Sequence, residues 1–115
     1  MRVVVLEIVN GREKHSVEAQ KLHDLIVPVL ARGEEVELDF EGVRFISAPF
    51  LTISIGQLLK DHPLGRLKSL LRVEHLHPVY ADLLESVIER SSRYYTEPRY
   101  REAVDRSLAK MFEDQ

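Results

Sequence analysis

The stretch Val36-Glu37-Leu38-Asp39-Phe40-Glu41-Gly42-Val43-Arg44-Phe45-Ile46-Ser47-Ala48-Pro49-Phe50-Leu51 decides how the rest of the chain is read. Val36 to Phe40 alternates apolar and acidic residues, the period of a half-buried strand. Glu41-Gly42 turns the chain, and Val43 to Ile46 reads as a short extended segment. Pro49 suits the first turn of a helix and pushes Ala48 toward extended geometry, which sets a helix start at Ser47 to Pro49. Leu51, Ile55, Leu58 and Leu59 then form one stripe of a helix that stops near His62-Pro63. A strand that ends in an aspartate and feeds a helix N-terminus lies where open α/β sheets place their sites. The free amides of such a start favour an anion, a phosphate or an acceptor from a partner.

Working outward, Arg2 to Val9 is β-branched and nearly continuously apolar, which predicts a strand buried on both faces. Asn10-Gly11 marks a turn, with a polar loop as far as His15. Leu22, Leu25, Ile26, Val29 and Leu30 fall on one helical stripe between a Ser16 N-cap and Gly33 at the C′ position. Pro28 lies on the outer face, so a bend rather than a break is expected there. Beyond a Leu64-Gly65 loop, Leu70 to Val73 is a third strand candidate. His77-Pro78 opens a helix with Tyr80, Leu83, Leu84, Val87 and Ile88 inward. A loop at Ser91-Ser92 precedes a last helix capped by Thr96, with Tyr100, Ala103, Val104, Ser107, Leu108 and Met111 in register. Strands alternating with helices predict an α/β domain. Its mainly parallel sheet has three to four strands, covered by about four helices. The division expected is a domain over residues 1–92 and an amphipathic C-terminal helix over 93–115, packed on that domain or in a dimer contact.

Length and composition set the bounds. The 115 residues are enough for one domain with a real core. Lys and Arg total 16 and Asp and Glu 19, a formal charge of −3, which disfavours a general polyanion binder. The absence of cysteine excludes disulfides, thiolate metal sites and thiol nucleophiles. The apolar run Val3 to Leu6 is broken by Glu7, too short for a signal peptide or a membrane span, so a cytoplasmic location is the default expectation.

The central stretch resembles the core motif of STAS domains, the sulphate transporter and anti-sigma factor antagonist fold, in which a strand ending in Asp precedes a Gly-Val turn. It resembles still more closely the STAS-like domain of unknown function, with an Asp-Phe-x-Gly-Val stretch, a small-residue turn, a Phe and a helix. The resemblance is good over Val36 to Leu59 and extends weakly from about Ser16 through Val87. It implies a regulatory protein-binding module rather than an enzyme. Antagonists of this fold bind a serine kinase with a histidine-kinase-like ATP site, and phosphorylation of a serine at the helix start releases that partner. Carried over by position, the phosphorylated serine corresponds to Ala48, which has no hydroxyl; the residue before it is Ser47 and the one after it Pro49. Ser47 is then either a displaced acceptor or simply a helix cap, and Thr52 and Ser54 are further hydroxyls on the same helix. The resemblance places the partner surface on Asp39, Ser47, Ala48, Pro49, Phe50, Ile53 and Gln57. Phe50, Ile53 and Gln57 form a second helical stripe, either exposed to a partner or buried in a crevice. Asp39 is either a ligand-facing carboxylate or an acceptor for nearby amides.

Other features are weaker. Of five histidines, His75-Leu76-His77 is the tightest pair, and two ligands at this spacing chelate a metal only if His62 or Glu74 converges on them. No metal motif and no cofactor-binding glycine loop stands in the sequence, and no Ser-His-Asp spacing suggests catalysis. Arg90, Arg93, Arg99, Arg101 and Arg106 cluster near Tyr94, Tyr95 and Tyr100. This is either a nucleic-acid grip or, with Glu97, Glu102 and Asp105 interleaved, a solvated helix face. The function expected is a non-enzymatic interaction module, monomeric or homodimeric, for a kinase-like or other signalling partner. A nucleic-acid accessory protein and a small-molecule or nucleotide sensor using the amides at the Ser47 helix start are the alternatives.

Overall fold

A computed structural model describes residues 1–9 and 15–113. The turn and loop expected from Asn10 to Lys14 lie outside the described residues. Three parallel strands, β1 (Arg2–Val4), β2 (Val36–Asp39) and β3 (Leu71–Glu74), pair in the order β1-β2-β3. The helices are α1 (Val5–Val9), α2 (His15–Ala31), α3 (Ala48–Ser54), α4 (Leu64–Leu70), α5 (Ala81–Thr96) and α6 (Pro98–Glu113). Short 3₁₀ turns occupy Gly56–Lys60 and Pro78–Tyr80. The α/β class and the parallel sheet are those the alternation of strand and helix patterns predicts.

Register explains how the sheet is buried. Leu38 pairs with Val3 on one side and Val73 on the other, whereas Glu37 lies between Arg2 and Arg72. Because side chains alternate across a strand, Val3, Val36, Leu38, Leu71 and Val73 share one face and Arg2, Glu37, Asp39, Arg72 and Glu74 the other. Val36 and Leu38 are fully buried, while Arg2 and Arg72 stand in solvent. The helices therefore bury one apolar face, and the opposite face is charged.

Several elements differ from the sequence expectation. The expected strand over Arg2 to Val9 ends at Val4, because its partner β2 ends at the paired Asp39. The chain then turns into α1, with Val5 and Val9 buried at i and i+4 and Leu6 and Glu7 exposed between them. The segment from Val43 to Ile46 joins no strand. The expected continuous helix from Pro49 to His62 is α3 followed by the 3₁₀ turn. Leu64-Gly65 opens α4 rather than a loop. No loop forms at Ser91-Ser92: α5 runs through both serines to Thr96, and the chain turns at Glu97. The division expected after residue 92 thus falls inside α5, and Thr96 ends α5 instead of capping α6.

Local signals account for much of the rest. The helix α2 continues through the exposed Pro28 and ends as its sequence predicts. Gly33 adopts φ 75°, its amide donates to Leu30 O at 2.9 Å, and the Glu34 amide donates to Val29 O at 3.2 Å. That is the paired bonding of a Schellman end, where a left-handed residue favours glycine. Leu22, Ile26 and Leu30 are fully buried, each contributing roughly 1.5–3 kcal/mol of transfer free energy. α2 packs on α3, α3 on α5, and α6 on α5.

Gly56 shows why a small residue stands at position 91. A Cβ on Gly56 would lie 2.4 Å from Ser91 Oγ and 3.3 Å from its Cβ, so the 3₁₀ turn and α5 approach backbone-close. Ser91 is a packing requirement of a helix, and the Ser91-Ser92 pair is not a break in it.

Candidate functional site

The helix start at Ser47 forms as the sequence predicts. Ser47 has extended backbone at φ −101° and ψ 159°, and its Oγ accepts a hydrogen bond from the Phe50 amide at 3.2 Å. That bond satisfies one of the orphan donors of the first turn and is worth about 1 kcal/mol. The hydroxyl is thus engaged as a cap, with the residue half-buried. Thr52 Oγ1 donates to Ala48 O at 2.9 Å on the exposed side. Ser54 is fully buried and donates to Phe50 O at 2.7 Å, which removes it as an accessible acceptor.

The second stripe of this helix divides between the two readings the sequence left open. Phe50 is 2% exposed and belongs to the core. It is not part of an exposed contact surface. Ile53 and Gln57 are half-buried and Pro49 is exposed. Ala48, Pro49, Ile53 and Gln57 line one wall of a cleft of about 610 Å³. Val87, Ser91 and Tyr95 of α5 also line it, and Tyr100, Val104 and Leu108 of α6 supply residues on its other side. Four of the seven residues expected at a partner surface therefore meet in one concavity, while Phe50 is buried in the core. The contribution of α6 was not legible, because pairing its stripe with α3 requires the turn at Glu97.

Asp39 sits elsewhere, at the carboxyl edge of the sheet, and is 3% exposed. Its Oδ2 receives the Arg2 guanidinium. Its Oδ1 accepts from the Glu41 amide at 3.0 Å and lies 2.9 Å from His75 Nδ1. His75 follows β3 with a left-handed backbone at φ 57°. The Glu41 amide, and next the His75 hydrogen bond, hold the Asp39 carboxyl below the usual carboxylate range. The hydrogen bond to Asp39, reinforced by its charge, raises His75 above the usual imidazole range. Asp39 thus does what the local reading anticipated, bonding the amide two residues on, and also ties β2 to Arg2 of β1 and to His75 just after β3. Neither His62 nor Glu74 joins His75 in the close group of ligand atoms at this edge; Asp39 and Glu41 do. His77 instead caps its own turn, Nδ1 accepting from the Val79 amide at 3.2 Å.

Within the Arg/Tyr-rich segment, Arg93 and Arg101 are engaged by neighbouring carboxylates and tyrosine rings. Arg93 pairs with Glu97 at 2.8 Å and stacks 4.2 Å from the Tyr100 centroid. Arg101 lies 3.9 Å from Asp105 and 5.3 Å from the Tyr94 centroid, and Tyr94 Oη donates to Asp105 at 2.7 Å. Tyrosine faces already covered by guanidinium groups are poor platforms for bases. No helix among the described residues is long and apolar enough to cross a membrane.

A three-stranded parallel sheet with a capped helix start after its central strand defines a small α/β domain. The family model for the STAS-like domain of unknown function (DUF4325) matches residues 18–81, more than half of the chain, and the chain belongs to that family. No curated protein and no solved structure matches it.

Proposed function

We propose that this chain is a non-catalytic regulatory module that receives an apolar segment of a partner protein in the cleft between α3 and α6. The observation that carries this reading is the convergence of Ala48, Pro49, Ile53 and Gln57 with Tyr100, Val104 and Leu108 around one concave surface. Leu108 is 48% exposed, and Met111, farther along α6, is 64% exposed. Such apolar exposure marks interaction surfaces on soluble domains. The family resemblance supports a histidine-kinase-like ATPase, or a comparable signalling protein, as the first partner to test. The engaged Ser47 hydroxyl and Ala48 beside it favour constitutive binding over a phosphorylation switch at this helix start. The internal pairing of Arg93 and Arg101 argues against the nucleic-acid reading.

The test is site-specific photo-crosslinking from position 53 in cells, followed by mass spectrometry. A recurrent cross-linked signalling protein that disappears with Leu108→Asp supports the reading. Cross-links to the same protein that persist in Leu108→Asp, or capture by purified chain that survives Ile53→Asp, overturn it.

A further inference from the structure

The carboxyl edge of the sheet holds a second constellation, independent of the cleft. Asp39 ends β2 and pairs in register with Glu74 of β3, so the residues that follow each strand emerge side by side over the same edge. There Asp39, Glu41 and His75 each offer a ligand atom, and the three atoms lie within 4.8 Å of one another. We propose that Asp39, Glu41 and His75 form a binding site for a divalent transition metal of the zinc class.

The donor set selects the ion. One imidazole with two carboxylates suits zinc and its neighbours, whereas calcium and magnesium call for an all-oxygen shell. Metal–ligand bonds of about 2.0–2.2 Å in a tetrahedral shell separate adjacent donor atoms by roughly 3.3 Å. The 2.9 Å between His75 Nδ1 and Asp39 Oδ1 needs to open by only a few tenths of an ångström when the ion replaces the shared proton.

Two further observations point the same way. Asp39 is a buried carboxylate whose Oδ2 is taken by Arg2, which leaves Oδ1 facing the Glu41 backbone amide and the His75 ring. Glu41 and His75, with His77, also line an open cleft of about 430 Å³, giving the ion a path from solvent. Three protein donors leave a coordination position for water or for a group brought by a partner. The Arg2 charge opposes the dication, so affinity in the micromolar range is expected.

The test is calorimetric titration of the chelator-washed full chain with zinc chloride, alongside His75→Ala, Glu41→Gln and the remote variant His23→Ala. One equivalent is expected to bind to the wild type and to His23→Ala, at least tenfold more weakly to the two site variants. Failure to saturate below millimolar zinc, or equal affinity in all four proteins, overturns the site. Because His75→Ala also removes a structural bond, the wild type is examined separately with Co²⁺ by NMR. Paramagnetic shifts centred on the His75 ring support the site, and shifts centred on another histidine overturn it.

Discussion

The helices α3 and α6 contribute to the same cleft yet are held in different ways. α3 buries Phe50, Leu51 and Ser54 and packs on both α2 and α5. α6 packs on α5, and of its described side chains only Tyr100 and Val104 are even half-buried. Both helices carry an amphipathic stripe, so the pattern alone does not separate them. The difference lies in what each stripe meets: α3 meets the core, whereas α6 meets its own neighbour and open space. One side of the cleft is therefore part of the fold and the other an attachment to it.

The largest expected effect falls on the rigid side. Phe50→Ala should cost about 3–5 kcal/mol in urea denaturation. A loss below 1 kcal/mol, on the order expected for a surface change, would place Phe50 outside the core and erase the contrast. Gly56→Ala should cost about 1–3 kcal/mol by overpacking against Ser91. In a Ser91→Ala background that cost should fall by more than half, and a purely additive double-mutant cycle would deny the close approach. Ser47→Ala should cost about 1 kcal/mol through the lost cap. On the other helix, Leu108→Ser should stay within about 0.5 kcal/mol of wild type, as exposed positions do, while weakening partner capture. An equal loss at Leu108 and Phe50 would show that the two helices are not held differently.

The smallest effect is expected at the sheet edge, measured with chelator present. His75 is raised on folding, so its stabilising share is complete below about pH 6.5 and is lost as pH rises through the folded value. Asp39 is lowered, so its share is present above about pH 4 and is lost as pH falls through the folded value. Urea midpoints should therefore fall on both sides of that window. His75→Gln should abolish the alkaline-side dependence assigned to His75, and an unchanged profile would remove the imidazole as its source.

What the sequence made legible was local. The Ser47 cap, the Gly33 helix end and the β2 strand each rest on neighbours within a few residues, and all three form, although Asp39 is buried where the alternation predicts an exposed residue. The misreadings share a different cause. Val3 to Val9 has strand composition throughout, but β2 offers no partner beyond Asp39, so tertiary pairing overrides propensity at Val5. Ser91-Ser92 resembles a loop because the close approach of Gly56, 35 positions earlier, is invisible in a local window. The link from Arg2 through Asp39 to His75 spans three strand ends and needed the register to be seen. Phe50 carried two readings because one helix has a core side and a cleft side, and only packing tells them apart.

The charged face of the sheet has a consequence for how the chain folds. Sliding β2 by one residue against β1 or β3 would carry Glu37 and Asp39 into the apolar interior and push Leu38 into water. A misplaced Glu37 would lose its hydration, and both carboxylates would lose their cationic neighbours, a far larger cost than a weakened backbone ladder. Strands of only three or four residues supply few hydrogen bonds with which to distinguish correct from shifted pairing. The acid–base alternation across Arg2, Glu37 and Arg72 thus acts as a proofreading code for strand alignment.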